Sequence, residues 1–413
     1  MSEKQYLCLS KISKMPTQSI NPEYVLAAIA AICLILAAVQ ATYILRRKSA
    51  LKRQLKKCSA ASGNQPAPIS VIVFANNSNS AYLEESIPAI MAQDHPDFEV
   101  IVVNSDSSAT TDGILTRLTA EYPSLRSTFI PDTSCNVSIR KLSATLGIKA
   151  ATNDTVLLTE ASCIPRSEEW LARISRHFDG RPSIVIGYCH YCHRQDKAAG
   201  HRYRSFDTAM TDSQYLAAAI RKHPYRGDRR NIAFSKQLFF DNKGYSRTMN
   251  LKYGDDDIFI NEIAPAADNI YVELSDESIL EMKSSNARDY YASEKAHRAF
   301  TLGKIHPKAT TASSLITSIR FIYLILLTAL TLLSAYDCLQ QPDYWIVPAI
   351  SVGTAILIYL TETLIYISSL RKIAGILHAP KQFFTTPIFR LTRPFANAYF
   401  RSKSAQADNY TWE

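Results

Sequence analysis

Residues 254–259 read GDDDIF, three consecutive aspartates at the head of an apolar run. Adjacent carboxylates repel, and each raises its neighbour's affinity for protons, so one of the three can be moved toward a useful basicity. A carboxylate within hydrogen-bond reach of a hydroxyl takes its proton as the oxygen attacks, an effect of about 10²–10⁴-fold. Aspartates in a first helical turn also accept orphan amide hydrogens and complement the helix dipole, each contributing about 0.3–1 kcal/mol. One or two residues suffice for a cap. The triplet therefore reads as chemistry, with a helix start beside it.

The elements that must position these carboxylates alternate. PISVIVFAN (68–76) reads as a buried strand, 82–93 as a helix, and FEVIVVNSD (98–106) as a second strand. A helix over 112–121, a short strand near 126–130, a helix over 138–151 and the strand TVLLTEASC (155–163) follow. Such alternation predicts an α/β domain with a parallel sheet, whose ligands bind beyond the carboxyl ends of the strands. Asn76, Asn77, Asn104, Ser105, Asp106, Glu160 and Ser162 fall at those ends. Together they suit the hydroxyls and amides of a nucleotide; taken singly, each fits ordinary turn chemistry. CHYCH (189–193) matches the short haem attachment pattern, but it follows a strand-like run and lacks further ligands at zinc spacing, so it reads as packing.

The chain has 413 residues and a formal charge of +9, and much of the excess lies in Arg46, Arg47, Lys48, Lys52, Arg53, Lys56 and Lys57. That cluster directly follows an apolar run over 25–45, which is long enough to cross a hydrocarbon core. Two further spans are expected within 315–336 and 345–370, joined by a loop without lysine or arginine and followed by Arg371, Lys372 and Lys381. By the positive-inside rule the basic stretch and the C-terminal tail face the cytosol. Arg320 and Glu362, one in each later span, are expected to pair, or Arg320 to reach the headgroups. The tail over 381–401 mixes phenylalanine with arginine and reads as an interfacial segment. Scattered cysteines read as reduced thiols, and no nucleic-acid motif accompanies the charge. The expected layout is a non-cytosolic segment 1–24, a transmembrane helix 25–45, a basic linker 46–65, a catalytic domain 66–311, a transmembrane hairpin 312–371 and a cytosolic tail 372–413.

SVIVFANNSN (70–79), LEESIPAIMAQDHPDFEVIVVNSDSS (83–108), RKLSATLGIKAATNDTVLLTEASCIPRSEEWL (140–171) and RRNIAFSKQLFFDNKGYSRTMNLKYGDDDIFINE (229–262) occur in that order. They resemble family 2 glycosyltransferases of the GT-A fold, a Rossmann-like nucleotide-diphospho-sugar transferase domain, and the flanking spans look like membrane-bound bacterial members. The resemblance implies an inverting transfer from a nucleotide-diphospho-sugar, with Mg²⁺ or Mn²⁺. It places donor contacts at Asn76, Ser105, Asp106, Arg140 and Lys141, and the acidic pair at Asp255 and Asp256, the second acting as base. The family's metal motif, Asp-x-Asp, is here Glu160-Ala161-Ser162, which leaves Glu160 as the carboxylate available to an ion. Alternatively Arg140, Lys141 or the arginines of HPYRGDRRN (223–231) neutralise the leaving diphosphate. Near 297–306, Phe300 and His306 match an aromatic and a histidine of a family motif whose arginine is missing. The function implied is transfer of a sugar to a membrane-associated glycan or lipid-linked acceptor, in envelope polysaccharide synthesis at the cell inner membrane. The alternative is a catalytically impaired membrane scaffold or regulatory subunit.

Overall fold

The computed structural model describes residues 22–60, 65–105, 108–130, 137–191, 199–284, 286–305, 307–340, 345–381 and 384–406. The chain divides into two compact units, one of Met1–Thr42 with Leu315–Ile365, the other of Tyr43–Ser314 with Tyr366–Glu413.

Helix α1 (Pro22–Ala60) carries the first apolar run and continues unbroken through the basic stretch that the sequence marked as a linker. Lys, Arg, Gln and Leu are all good helix formers, so nothing after residue 45 stops it. Its second half is docked, since Gln54 donates to the Val272 carbonyl at 2.7 Å and Arg47 is buried against Ser213.

In the larger unit follow β1 (Ile69–Ala75), α2 (Leu83–Met91), β2 (Phe98–Asn104), α3 (Ala109–Glu121), β3 (Leu125–Phe129), α4 (Ile139–Ala150), β4 (Thr155–Glu160) and β5 (Cys163–Pro165). Then come α5 (Trp170–Ser175), β6 (Ser183–Ile186), β7 (Cys189–Tyr191), α6 (His201–Ile220), β8 (Ile232–Ser235), α7 (Lys236–Asp241), α8 (Asp257–Ile263), β9 (Asn269–Val272), β10 (Leu280–Met282) and α9 (Ala287–Thr301). The main sheet runs β3-β2-β1-β4-β8-β6-β9, and a small sheet runs β5-β10-β7. Strands β1 to β4 pair in parallel, and β8 joins β4 antiparallel, which makes the sheet mixed.

Every residue of β1 and β4 is buried, as a sheet covered on both faces requires. Ile69, Val71 and Val73 pack with Leu83 and Ile87 of α2 and with Trp170 of α5. Ile72 points the other way, as the strand period demands. It meets Gly147 of α4 so closely that a Cβ there would lie 2.5 Å from the Ile72 methyl, so only glycine lets α4 sit on β1.

Helices α10 (Pro307–Gln340) and α11 (Ile346–Ile376) follow, and with α1 they make three helices long and apolar enough to cross a membrane. In that unit Arg320 and Glu362 pair at 3.0 Å, as the sequence led us to expect, with Gln40 at 3.5 Å from the guanidinium.

The tail folds as α12 (Thr386–Gln406), running through Pro394. Phe384, Ile388, Leu391, Phe395 and Tyr399 form an exposed apolar stripe at helical spacing, while Arg393 turns inward to Asp207 of α6 at 2.6 Å. The same carboxylate takes Lys295 of α9 at 2.8 Å and the Tyr291 hydroxyl at 2.8 Å.

Candidate active site

Strand order reverses between β1 and β4, with β2 and β3 on one side and β8 on the other, and Glu160 is the last residue of β4, beside Phe74. A topological switch of this kind opens a crevice at the strand ends, where ligands bind in open α/β sheets. Glu160 is held there by Arg140, from the first turn of α4, and by Arg229, whose Nε lies 2.8 Å away. Burial works against its charge, but Arg229, Arg140 and Arg230 outweigh this and lower its pKa.

The three aspartates reach the same place. Gly254 enters with φ +100°, and a Cβ there would sit 2.5 Å from Ile258, so glycine sets the turn. Asp255 Oδ2 meets Arg140 Nε at 3.0 Å, while its buried Oδ1 has no hydrogen-bond partner among the described residues. Asp256 is the N-cap of α8, its Oδ1 accepting the Asp257 amide hydrogen at 2.7 Å, and it also faces His297 Nε2 at 3.2 Å and Arg229 Nη1 at 3.7 Å. Cap and candidate base are thus one residue. Burial presses its carboxyl toward the neutral form, yet His297, Arg229 and Arg226 hold its pKa well below the usual carboxylate range. Asp257 serves the fold, bridging Arg226 at 3.1 Å and the Thr301 hydroxyl at 2.7 Å, and burial pushes its pKa up to about 6.

Helix α9 supplies groups that sequence reasoning missed. Glu294, His297, Arg298 and Thr301 lie at spacings of three and four, hence on one face. Glu294 Oε1 accepts from Arg229 at 2.8 Å, and the His297 ring stacks on Tyr253 with centroids 5.0 Å apart. The sequence signal was that spacing, which a search for a linear motif passes over. Phe300 packs edge-on against Tyr253, while His306 lies outside the described residues.

The expected donor contacts are distributed differently. Asn76 closes its own turn, accepting from the Ser78 amide at 2.9 Å, and Ser105 ties β2 to β1 through the Ala75 carbonyl at 3.0 Å. Both sit at the strand ends. Asp106 lies outside the described residues. Ser162 is buried just beyond Glu160, and its carbonyl accepts the Lys283 amide. Lys141 is engaged elsewhere. Its buried ammonium donates to the carbonyls of Thr248, Leu251 and Tyr253 at 2.6, 3.0 and 2.9 Å, which fixes the loop leading to the aspartates. Burial pulls its pKa down to about 8.

Asp255, Asp256 and His297 bring ligand-type atoms within 4.8 Å of one another, a grouping of the kind that holds a divalent ion. The hydrogen bonds around it argue against an ion in this arrangement. Arg229 Nη1 donates to His297 Nδ1 at 3.2 Å, so that nitrogen keeps its lone pair and the ring carries its proton on Nε2, toward Asp256. Burial lowers the ring's proton affinity, and Asp256 and Asp257 more than restore it. On Glu160 both guanidinium groups meet the same oxygen, Oε1. The Asp255–Asp256–His297 group does not fit a metal while Arg229 stays in place.

The model described as glycosyltransferase like family 2 matches residues 66–263. This stretch is a family 2 glycosyltransferase domain. With the mixed sheet it bears out the GT-A expectation, and the domain is of the transferase kind. Solved structures similar to the chain include the mannosyltransferase PcManGT from Pyrobaculum calidifontis in complex with GDP-Man and Mn²⁺, 16% identical, with 91% of this chain and 96% of that one covered and a TM-score of 0.47. Another is S. aureus TarS 1–349 in complex with UDP-GlcNAc, 15% identical, covering 82% and 90% at a TM-score of 0.40. No curated protein sequence matches the chain.

Proposed function

We infer that the glycosyltransferase domain moves a sugar, with inversion, from a nucleotide-diphospho-sugar to a membrane-associated glycan or lipid-linked acceptor, with Asp256 as general base. The observation that carries this reading is the meeting of Asp255, Asp256, Arg140 and Arg229 around Glu160 at the strand-order switch. Arg140 and Arg229 receive the donor diphosphate in place of Mg²⁺ or Mn²⁺. Fixed guanidinium groups in a dry site stabilise a leaving diphosphate through preorganised charge. The arriving phosphates also draw those arginines away from the carboxylates and add negative charge nearby, which raises the proton affinity of Asp256 as the acceptor hydroxyl needs it. His297, facing Asp256 across 3.2 Å, holds that carboxylate in position.

With three helices long and apolar enough to cross a membrane, and basic residues following the first and third, the domain works at the cytosolic face of the inner membrane. A lipid-borne acceptor is concentrated there.

The test is donor turnover by the full chain in nanodiscs across a panel of nucleotide sugars. Asp256→Asn is expected to abolish turnover while leaving nucleotide diphosphate binding intact. Unchanged turnover in Asp256→Asn removes Asp256 as the base. Absence of both turnover and nucleotide binding across the panel returns the scaffold reading, for which the pairing of Glu160 with two arginines is the specific support.

A further inference from the structure

The last helix has two opposite faces. At about 100° per residue, Phe389, Arg393, Asn397 and Phe400 of α12 fall on one side, and Ile388, Leu391, Phe395 and Tyr399 on the other. The first set is spent inside the domain. Phe389 packs on Tyr203 and Phe206 with centroids 5.4 and 5.7 Å apart, Arg393 meets Asp207 at 2.6 Å, and Asn397 accepts from Lys295 of α9. The second set is large, apolar and 44–63% exposed. Single exposed apolar residues are ordinary, but four aligned along one helix form a patch of the kind that marks an interaction surface.

The charge on this segment says what covers it. Residues 381–406 include Lys381, Arg390, Arg393, Arg401 and Lys403 and contain no aspartate or glutamate. Arg393 is used inward, whereas Arg401 and Lys403 are exposed just beyond Tyr399. An apolar stripe with basic residues beside it is the composition of a helix lying in the plane of an anionic lipid surface.

The path of the chain agrees. Helix α11, long and apolar enough to cross a membrane, ends at Ile376, and α12 begins at Thr386, at most about 35 Å of extended chain away. The Arg390 guanidinium returns to that helix, lying 3.8 Å over the ring of Tyr366. A second copy of the chain is the weaker occupant. A two-fold contact through the stripe would set this basic segment against itself, with no carboxylate on either side to meet it.

We propose that the outer face of α12 docks on an anionic lipid bilayer, with Ile388, Leu391, Phe395 and Tyr399 entering among the acyl chains and Arg401 and Lys403 taking phosphate headgroups. The inner face then sets the height of the candidate site. Helix α9, which carries Glu294 and His297, is held to α12 through Lys295 and Asn397, so it rests one helix layer from the headgroups. The docking is independent of the glycosyltransferase reading; only its benefit for a lipid-linked acceptor rests on that reading.

The experiment places a tryptophan in the stripe of the full chain, Ile388→Trp and Tyr399→Trp in separate proteins, in nanodiscs holding one chain each. The parent emission is subtracted, and lipids with brominated acyl chains are compared with unbrominated ones, with and without phosphatidylglycerol. At both positions the added emission is expected to be blue-shifted, quenched by the brominated chains and shielded from aqueous acrylamide. Phosphatidylglycerol should strengthen the quenching, and Arg401→Gln with Lys403→Gln should remove that gain while leaving the quenching seen in neutral lipid. Two positions are read so that misfolding of one variant leaves the other to decide. Added emission that stays red, open to acrylamide and blind to bromine overturns the proposal. Shielding that arises only in discs holding two chains also overturns it and makes a second copy the occupant. Equal quenching in neutral and anionic discs removes the headgroup role of Arg401 and Lys403 and overturns the proposal as stated.

Discussion

Buried charge takes two forms in this protein. In the apolar unit a single pair, Arg320 with Glu362, sits 3.0 Å apart with Gln40 alongside. In the glycosyltransferase domain the carboxylates of Glu160, Asp255, Asp256, Asp257 and Glu294 share Arg140, Arg226 and Arg229. The first is a single ion pair with an amide beside it. The second is a shared network, three guanidinium groups serving five carboxylates, with the second oxygens of Asp255 and Glu294 making no hydrogen bond among the described residues. A single pair fixes how helices register, whereas a shared network keeps capacity for ligands. Two apolar residues could replace the first; nothing apolar could replace the second.

The sharpest way to break that contrast is at Asp256. Asp256→Asn should cost about 10²–10⁴-fold in turnover, measured by donor consumption, and should also lower the melting temperature, because it removes a buried charge that faces His297 and Arg229. Next is Arg229→Met, which leaves Glu160 and Glu294 buried with fewer counter-charges; the expected loss is about 3–5 kcal/mol in stability, read by denaturant unfolding. In the membrane pair, Arg320→Leu alone should destabilise the protein by about 3 kcal/mol, and adding Glu362→Leu should restore most of it, because a matched apolar pair carries no stranded charge. No such rescue is expected for the double replacement of Arg229 and Glu160, and finding one would erase the distinction.

A smaller effect is expected with pH. Burial raises the pKa of Asp212 from 3.8 to about 6, with Arg298 and Arg226 opposing and Asp228 assisting. Between about pH 4 and 6 the folded state therefore keeps a proton that the unfolded chain has released. Stability contributed by this group falls as pH rises through that window, by at most about 1.4 kcal/mol per pH unit, and Asp212→Asn should flatten that limb. Asp257 adds a limb of the same sign, while Glu160, Asp256 and Glu294, whose affinities are lowered, act at more acidic pH and with opposite slope. The smallest expected effect is none at all. With arginines around Glu160, turnover should survive EDTA, and a metal-dependent enzyme would show itself by losing activity.

Much of the domain was legible because its strands are long apolar runs with polar ends. Strands expected at 98–106 and 155–163 form over Phe98–Asn104 and Thr155–Glu160, and the helix expected at 138–151 forms over Ile139–Ala150. Element boundaries move where polar residues end a strand early. The continuation of α1 past residue 45 was hidden because a charge run reads equally as solvated linker or as helix, and only docking of Gln54 and Arg47 decides between them. In the site, the aspartates were visible as a local string, as were the arginines of 223–231. His297 and Glu294 were not, since they matter only once α9 lies against α8. The role of Lys141 could not be read at all. A lysine on a helix looks solvated until three carbonyls from a distant loop are placed around it.

Asp207 has a practical corollary for anyone shortening this chain. Its fully buried carboxylate depends on Arg393 from the last helix as well as on Lys295, the neighbour of Glu294 in α9. Cutting off the residues after the third apolar helix to obtain a smaller enzyme would take a guanidinium from that acid and leave it to Lys295 and Tyr291, on the very helix that carries His297. The C-terminal segment acts as a splint for the catalytic half, and it should be kept, or supplied in trans as a peptide.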